Sequence, residues 1–356
     1  MTCTFLWVSR AEAGLTREKV GIILADDNGK IIYSLNPDSA LVPASIIKIL
    51  TSMAALDTLG HSYRFKTRYY LDKKTRNLYI KGYGDPLFIS EAIEHFCQEI
   101  IREYTPGQIH HIILDDSFFE SRLQIPGKSE SLNPYDAPVG ALCANFNTIF
   151  FKRAPDGTFV SGEPQTPLLD IFLDRVKKTG LARGRILLDE NQSRLYPGLL
   201  TAHFLSRNGV PVSGGVRTGS FPDIAPQNSR LFKSPFDLTV AVQKLLRYSN
   251  NFIANQLMLA MSTETQSPPA TLENAAQVLN TYGKSLLKDT SFTLVEGSGL
   301  SRQNRITPRQ MLTLLQDFKP NHHLLRKGEQ EWYKTGTLKG IRTRAGYIRH
   351  PDGSLY

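Results

Sequence analysis

Residues 43–60 read PASIIKILTSMAALDTLG, and this stretch decides the fold class. The spacing predicts a helix with apolar residues around nearly its whole circumference, ended by Gly60, and such a helix belongs in a domain interior. Lys48 is the exception, because a charge inside such a helix is tolerated only with a partner. Ser45 lies three residues earlier and shares a helix face with Lys48, which makes the pair a candidate site.

This Ser-x-x-Lys pattern suits nucleophilic catalysis. The N–H groups and the dipole at a helix N-terminus favour negative charge, so Ser45 could ionise there and its own N–H could help to hold an oxyanion. Burial among isoleucines lowers the pKa of a lysine, which lets Lys48 act as a base. The pattern recurs at Ser285 and Lys288, in a mixed segment between two loops, where we interpret it as a chance match.

Two further short patterns could complete such a site. Residues 249–251, Ser-Asn-Asn, interrupt two predicted helices, although a serine at such a break could simply cap a helix. Residues 334–337, Lys-Thr-Gly-Thr, lie on a predicted strand and supply a positive charge and two hydroxyls. Gly336 removes a side chain where a ligand backbone could approach closely.

The rest of the chain predicts an α/β (α+β) fold in which one domain is interrupted. A strand–turn–strand hairpin over 20–35 precedes the apolar helix, and helices followed by two strands, over 332–337 and 341–348, occupy the C-terminal part. The stretch 65–232 is dominated by short β-like runs, with a few helices such as one over 197–207. We therefore expect a leader or signal-peptide remnant over 1–13, a split domain over 14–64 and 233–356, and a β-rich insertion over 65–232.

Individual boundaries follow from capping patterns. Ser234 and the Pro-Phe-Asp that follows it predict a helix with Ser234 as N-cap, proline at the first position and an acid at the third. Thr307, Pro308 and Gln310 predict a capping box that opens another helix.

Composition excludes several classes of protein. The chain has 356 residues, is 41% hydrophobic and carries a formal net charge of +9 without a Lys/Arg block, so neither disorder nor a nucleic-acid partner is expected. Cys3, Cys97 and Cys143 have neither metal-ligand nor disulfide-framework spacing, and we expect no metal and no cofactor. No stretch is long and apolar enough to predict a transmembrane helix.

Taken together and in this order, the three short patterns resemble those of penicillin-binding proteins and serine β-lactamases. The whole chain resembles the class C low-molecular-mass penicillin-binding proteins, the DacB-type D-alanyl-D-alanine carboxypeptidase/endopeptidase family. The resemblance includes Gly-Tyr-Gly-Asp-Pro at 82–86 and Glu-Gly-Ser-Gly-Leu-Ser at 296–301, where Glu296 replaces an aspartate of the family. It implies a transpeptidase/β-lactamase-like domain, an antiparallel sheet with a helical cluster, interrupted by inserted modules.

The resemblance also implies roles for individual residues. Ser45 would be the acylating nucleophile, Lys48 its general base and Ser249 the relay of a proton to the leaving amine. The remaining residues would bind substrate. Asn251 would bind the stem-peptide amide, and Lys334, Thr335 and Thr337 would bind the terminal carboxylate. The N–H groups of Ser45 and Thr337 would stabilise the oxyanion, Tyr135 would contact the peptide stem, and Gly336 completes the motif.

The implied reaction is acyl transfer on peptidoglycan stem peptides that end in D-Ala-D-Ala, with β-lactams as covalent inhibitors, in the periplasm or another extracytoplasmic space. Two alternatives remain open: a serine β-lactamase or esterase, and a non-catalytic penicillin- or peptidoglycan-binding protein. The chain departs from the family after the turn predicted at Asp352-Gly353, where the family continues with a strand and a helix. If the chain is truncated there, exposed apolar sheet surface would reduce its solubility or activity.

Overall fold

The computed structural model describes residues 20–129, 134–350 and 353–355, so the predicted leader over 1–13 lies outside the described residues. The α-helices are α1 (Lys48–Leu59), α2 (Ser90–Tyr104), α3 (Leu173–Lys178), α4 (Glu190–Arg207), α5 (Leu238–Tyr248), α6 (Asn251–Thr265), α7 (Leu272–Leu287) and α8 (Pro308–Phe318). The strands are β1 (Ile22–Ala25), β2 (Ile31–Leu35), β3 (Arg64–Leu71), β4 (Leu78–Gly82), β5 (Ile109–Asp115), β6 (Thr148–Arg153), β7 (Phe159–Ser161), β8 (Arg183–Leu187), β9 (Val212–Thr218), β10 (Arg230–Asp237), β11 (Arg326–Lys327), β12 (Glu331–Leu338) and β13 (Ile341–Ile348).

A helical cluster surrounds α1, as its uninterrupted apolar sequence predicts. Helix α1 contacts α5, α6, α7 and α8, and its residues 48–56 are all buried. Strands β11, β12 and β13 form an antiparallel sheet, and β12 and β13 pack on the 3₁₀ turn Ala44–Ile47 that precedes α1. Strands β1 and β2 form a separate antiparallel hairpin, with β1 against α8. The first and last thirds of the chain thus share one core.

A second core lies under a five-stranded sheet in the middle of the chain. Its strand order is β10-β3-β4-β5-β9, with antiparallel pairs at β10-β3 and β3-β4 and parallel pairs at β4-β5 and β5-β9. Helices α2 and α4 cover one face of this sheet and bury aromatic residues such as Tyr69, Phe96 and Phe204. A small antiparallel sheet, β7-β6-β8, adjoins it. Helices therefore contribute more to this stretch than its β-like runs predict.

Two predicted helix boundaries are wrong. Ser234 does not cap a helix, because it lies within β10 and the cap is Asp237, whose Oδ1 accepts the Val240 N–H at 3.0 Å. Helix α4 begins at Glu190 rather than near Pro197, because Asp189 and Gln192 form a capping box almost two turns earlier. Ser234 is held in a strand ladder, and α4 has an earlier cap than the one that its predicted start at Pro197 implied.

The C-terminal residues fold back on β13. Arg349 and Leu355 form an isolated antiparallel bridge, and Leu355 packs against the first core. Asp352 of the predicted turn lies outside the described residues. Within the described part of the chain, no helix is long and apolar enough to cross a membrane.

Candidate active site

Ser45 lies on a tight turn held between two neighbouring segments. It belongs to the 3₁₀ turn Ala44–Ile47, and Ala44 has a left-handed backbone with φ of 48°. Such a conformation costs energy for alanine and persists only where the surroundings enforce it. Here a Cβ added at Gly299 would lie 1.9 Å from the Ala44 carbonyl oxygen, and one added at Gly336 would lie 2.7 Å from the Ser45 nitrogen. Two glycines therefore let the turn pack directly on neighbouring backbone.

Lys48 is buried completely and connects three parts of the fold. Its Nζ donates to Ser45 Oγ at 2.9 Å, to Asn251 Oδ1 at 2.7 Å and to the Ser298 carbonyl oxygen. Burial lowers the pKa of Lys48 well below its ordinary value, and the nearby Lys334 cation lowers it further, while Glu296 acts in the opposite direction. The amine is thus positioned against the serine and has a greatly increased tendency to be neutral.

The carboxylate of Glu296 organises the loop that presents the Ser298 carbonyl to Lys48. Glu296 is buried, and its Oε2 accepts the Ser298 N–H at 2.7 Å and the Ser298 hydroxyl at 2.5 Å. Its Oε1 accepts the Ser301 N–H at 3.1 Å and the Asn304 amide at 2.7 Å. Four donors that converge on one buried side chain fix the loop geometry.

Ser249 and Asn251 lie at the junction of α5 and α6. Ser249 adopts a left-handed backbone with φ of 55° as the C-cap of α5. Asn250 is the N-cap of α6, and its side chain accepts the Ile253 N–H at 3.0 Å. Asn251 therefore begins α6 with its amide directed at Lys48, and Asn250 has a structural capping role that an aspartate could also fill.

Lys334 brings the third short pattern to the same place. It is 3% exposed, and its Nζ donates to Ser249 Oγ at 2.7 Å and to the Thr335 carbonyl at 2.6 Å. Burial lowers the pKa of Lys334 to about 8. Thr335 and Thr337 alternate with it along β12 and are exposed.

The part of β12 that β11 does not cover lies beside this cluster. Strand β11 pairs with Trp332 and Tyr333, so among the described strands residues 334–338 of β12 pair with β13 alone. Gly336 does leave room for a close approach, as predicted, but the backbone that occupies it is that of the Ser45 turn.

Tyr135 lies at the rim rather than in the hydrogen-bonded centre. Its side chain is 51% exposed, and its carbonyl oxygen accepts the Asn251 amide at 3.2 Å. A shallow cleft beside the cluster is lined by Asn251, Tyr135, Asp136 and Leu300.

All nine sequence-predicted site residues thus lie in or beside one cluster, although their chain positions span 45 to 337. The second Ser-x-x-Lys match lies elsewhere, at the exposed end of α7. The Ser298 carbonyl, which accepts from Lys48, was not predicted as part of the site, because a backbone acceptor has no signature in side-chain patterns. In the described ranges, no group of three or more His, Cys, Asp or Glu side chains could hold a metal ion.

Comparison with known proteins assigns the family. The model of the D-Ala-D-Ala carboxypeptidase 3 (S13) family matches residues 9–182 and 182–327, so the chain belongs to this family. It is accordingly a serine peptidase of the D-alanyl-D-alanine carboxypeptidase class, and the family resemblance and the enzyme class predicted from the sequence are confirmed.

The relatives are distant but extend over most of the chain. The D-alanyl-D-alanine carboxypeptidase of Actinomadura sp. is 23% identical over 94% of this chain and 76% of its own length. The D-alanyl-D-alanine carboxypeptidase DacB of Haemophilus influenzae is 21% identical over 94% of this chain and 83% of its own length.

Solved structures confirm the predicted fold class. Penicillin binding protein 4 from Haemophilus influenzae superposes with a TM-score of 0.74 at 20% identity, over 94% of this chain and 88% of that one. A predatory peptidoglycan endopeptidase from Bdellovibrio bacteriovorus, solved in a form acylated by penicillin G, superposes with a TM-score of 0.52 at 16% identity over 94% of this chain and 83% of that one.

Proposed function

We propose that Ser45 is the nucleophile of this peptidase and that the chain removes the terminal residue from peptidoglycan stem peptides ending in D-Ala-D-Ala. The observation that carries the proposal is the 2.9 Å hydrogen bond between Lys48 Nζ and Ser45 Oγ inside an otherwise apolar helix. A buried lysine with a lowered pKa beside a half-buried serine is the arrangement that an activated nucleophile requires.

In the acylation step Lys48 is the base, and backbone N–H groups stabilise the developing negative charge. In neutral Lys48 the two N–H groups remain on Asn251 Oδ1 and the Ser298 carbonyl, and the lone pair accepts the Ser45 hydroxyl proton as Ser45 Oγ bonds to the carbonyl carbon of the penultimate D-Ala. The carbonyl oxygen becomes an oxyanion, which the N–H groups of Ser45 and Thr337 stabilise. The closeness of Gly336 to the Ser45 nitrogen supports this, because it places the turn and β12 side by side.

Departure of the terminal D-Ala requires a proton on its nitrogen. Ser249 relays it: Ser249 Oγ donates its proton to the leaving nitrogen and takes in return the proton that Lys48 accepted from Ser45, so Lys48 becomes neutral again. The Ser249 Oγ lies 2.7 Å from Lys334 Nζ in the same cluster as Lys48. Lys334, Thr335 and Thr337 hold the carboxylate of the departing residue, while the Asn251 amide binds the amide of the acyl side. The rim residue Tyr135 contacts the peptide stem. Water then hydrolyses the ester of Ser45.

The same serine would be acylated by β-lactams, and we expect that adduct to be long-lived. Rapid hydrolysis needs a carboxylate free to activate water. The buried carboxylate of Glu296, which acts electrostatically on Lys48, already accepts four hydrogen bonds. Rapid turnover of nitrocefin by the purified protein would contradict this expectation and favour a β-lactamase.

The proposal includes the domain organisation and the location. We infer a catalytic domain over 14–64 and 233–356 interrupted by an insertion over 65–232, supported by a first core built mainly from the two flanks and a second core built from 69–232. Action on peptidoglycan implies a periplasmic or other extracytoplasmic location.

Release of free D-alanine from a soluble tripeptide ending in D-Ala-D-Ala tests the function. We expect the wild type to release one equivalent of D-alanine per peptide, and Ser45→Ala to release none. A cross-linked muropeptide dimer in a parallel reaction separates endopeptidase from carboxypeptidase action. Peptidoglycan binding with neither release of D-alanine from the tripeptide nor cleavage of the dimer into monomers would instead support a non-catalytic binding protein.

A further inference from the structure

One face of the five-stranded sheet is basic, and it is open except where the segment 219–229 crosses it: Phe221 contacts Tyr79 there, and Arg68 donates to Ser229 and to the Ile224 carbonyl. Helices α2 and α4 cover the opposite face, and the alternation along β3 directs Arg64, Lys66 and Arg68 away from the second core. Lys233 of β10 lies on the same open side, because it is the direct cross-strand partner of Lys66. Lys66 and Lys233 are exposed, and Arg217 of β9 extends the positive charge to the other edge of the sheet.

These charges are not neutralised within the part of the chain that the structure describes. Arg68 donates to the Ser229 hydroxyl and Arg64 to the Ser234 carbonyl, which are uncharged acceptors. Of the acidic groups nearby, Asp115 pairs with Lys81 at 3.2 Å. Asp237 caps α5 and is also the cross-strand partner of Arg64, so it offsets one of the positive charges. The face therefore keeps a net positive charge.

The pairing of Lys66 with Lys233 indicates that the positive charge has a role other than stabilising the sheet. Like charges directly opposite each other in an antiparallel pair destabilise a sheet. Alternate residues along a strand lie about 6.6 Å apart, so Arg64, Lys66 and Arg68 form a row of cations at regular spacing. A row of this kind matches an extended polymer that carries repeated anionic groups.

Aromatic rings lie among the cations. The Arg68 guanidinium lies over the Phe221 ring, 4.8 Å from its centre, and Tyr79 contacts Phe221 and stacks on Tyr70. Flat ring faces beside cations give sugar rings and carboxylates complementary surfaces. A glycan that carries acidic peptides combines both features, whereas a lipid surface offers no extended row of groups to match the strands.

We propose that this basic face, defined by Arg64, Lys66, Arg68 and Lys233, binds the peptidoglycan polymer through the carboxylates of its stem peptides, away from the catalytic serine. The proposal rests on the proposed function, since it takes the polymeric form of the same substrate as the ligand. The face retains the enzyme on the insoluble polymer, while the catalytic cluster acts on one stem peptide at a time.

Cosedimentation with purified sacculi, freed of attached polymers and proteins, tests the proposal. The variant Lys66→Gln/Lys233→Gln should bind about tenfold more weakly or worse, since each lysine contributes substantially at an anionic surface. Binding by the wild type should fall in 0.5 M salt, about three times physiological ionic strength, and after amidation of the sacculus carboxylates. The matched control Lys178→Gln/Lys284→Gln removes two exposed charges from α3 and α7 and should bind like the wild type.

Release of D-alanine from the soluble tripeptide is measured in parallel and should be equal in all three proteins. Absence of release from every protein would refute the proposed function, whereas the sacculus assay would still test the face. Equal sacculus binding by the two double variants would overturn the proposal. Wild-type binding to anionic lipid vesicles or to RNA as tight as to sacculi would also overturn it.

Discussion

The change Gly336→Ala tests whether the turn at Ser45 must pack directly on β12. The added Cβ would lie 2.7 Å from the Ser45 nitrogen, 2.3 Å from Thr343 Oγ1 and 3.0 Å from Ala44 Cβ. Ordinary contact begins at 3.4 Å, so β12 and the turn must separate by 0.7 Å (3.4 − 2.7) at the Ser45 nitrogen alone. The proposed oxyanion site is formed across this contact.

A displacement of this size should slow acylation more than it weakens the fold. Misplacement of reacting groups by about 1 Å costs on the order of 10²-fold in rate, and overpacking costs about 1–3 kcal/mol of stability. We therefore expect acylation of Gly336→Ala by benzylpenicillin to be on the order of 10²-fold slower, with a folded protein. The assay is the second-order rate constant from intact mass spectrometry, measured well below the melting temperature.

Two further variants serve as controls for Gly336→Ala. Gly107→Ala adds a methyl group where no atom lies within 4 Å, and it should acylate like the wild type. Gly336→Ala/Thr343→Ala removes the hydroxyl contact but leaves the contact with the Ser45 nitrogen, so it should remain slow. A rate for folded Gly336→Ala within about twofold of the wild type would refute the reasoning, because rate should follow misplacement of the turn.

Three further predictions concern the charges of the site. Lys48→Met should slow acylation by about 10²–10⁴-fold in the same mass assay, because it removes the base. The acylation rate should fall as pH rises through about 8, because Lys334 then loses its proton and with it the positive charge that attracts the substrate carboxylate. Lys334→Arg should remove this fall from the pH–rate profile, because arginine stays charged in this range. Glu296→Gln should lower the melting temperature measured by calorimetry and slow acylation, because the four donors around the carboxylate lose a charged acceptor; an unchanged melting temperature would contradict the role given to the loop.

The local part of the site could be predicted from the sequence because its signals are local. A lysine inside an apolar helix needs a partner, and the helix geometry placed Ser45 within reach of Lys48. The capping box at Thr307 was predicted correctly, since Gln310 and Thr307 bond reciprocally. The strands predicted over 332–337 and 341–348 are present as β12 and β13, and they pair antiparallel.

The non-local part could not be predicted from residue patterns alone. The bond from Lys48 to the Ser298 carbonyl joins positions 250 residues apart, and the acceptor is a backbone atom. Ser234 shows the converse error, because a good local cap pattern was overridden by the ladder between β10 and β3. The parallel pairs of β5 with β4 and β9 likewise depend on distant segments.

Intact mass spectrometry after incubation with benzylpenicillin, followed by peptide mapping, tests the central claim most directly. The account predicts a stable increase by the mass of one drug molecule, located on Ser45 and absent from Ser45→Ala. No adduct on the wild type with the penicillin left intact would contradict the account, as would an adduct that persists in Ser45→Ala.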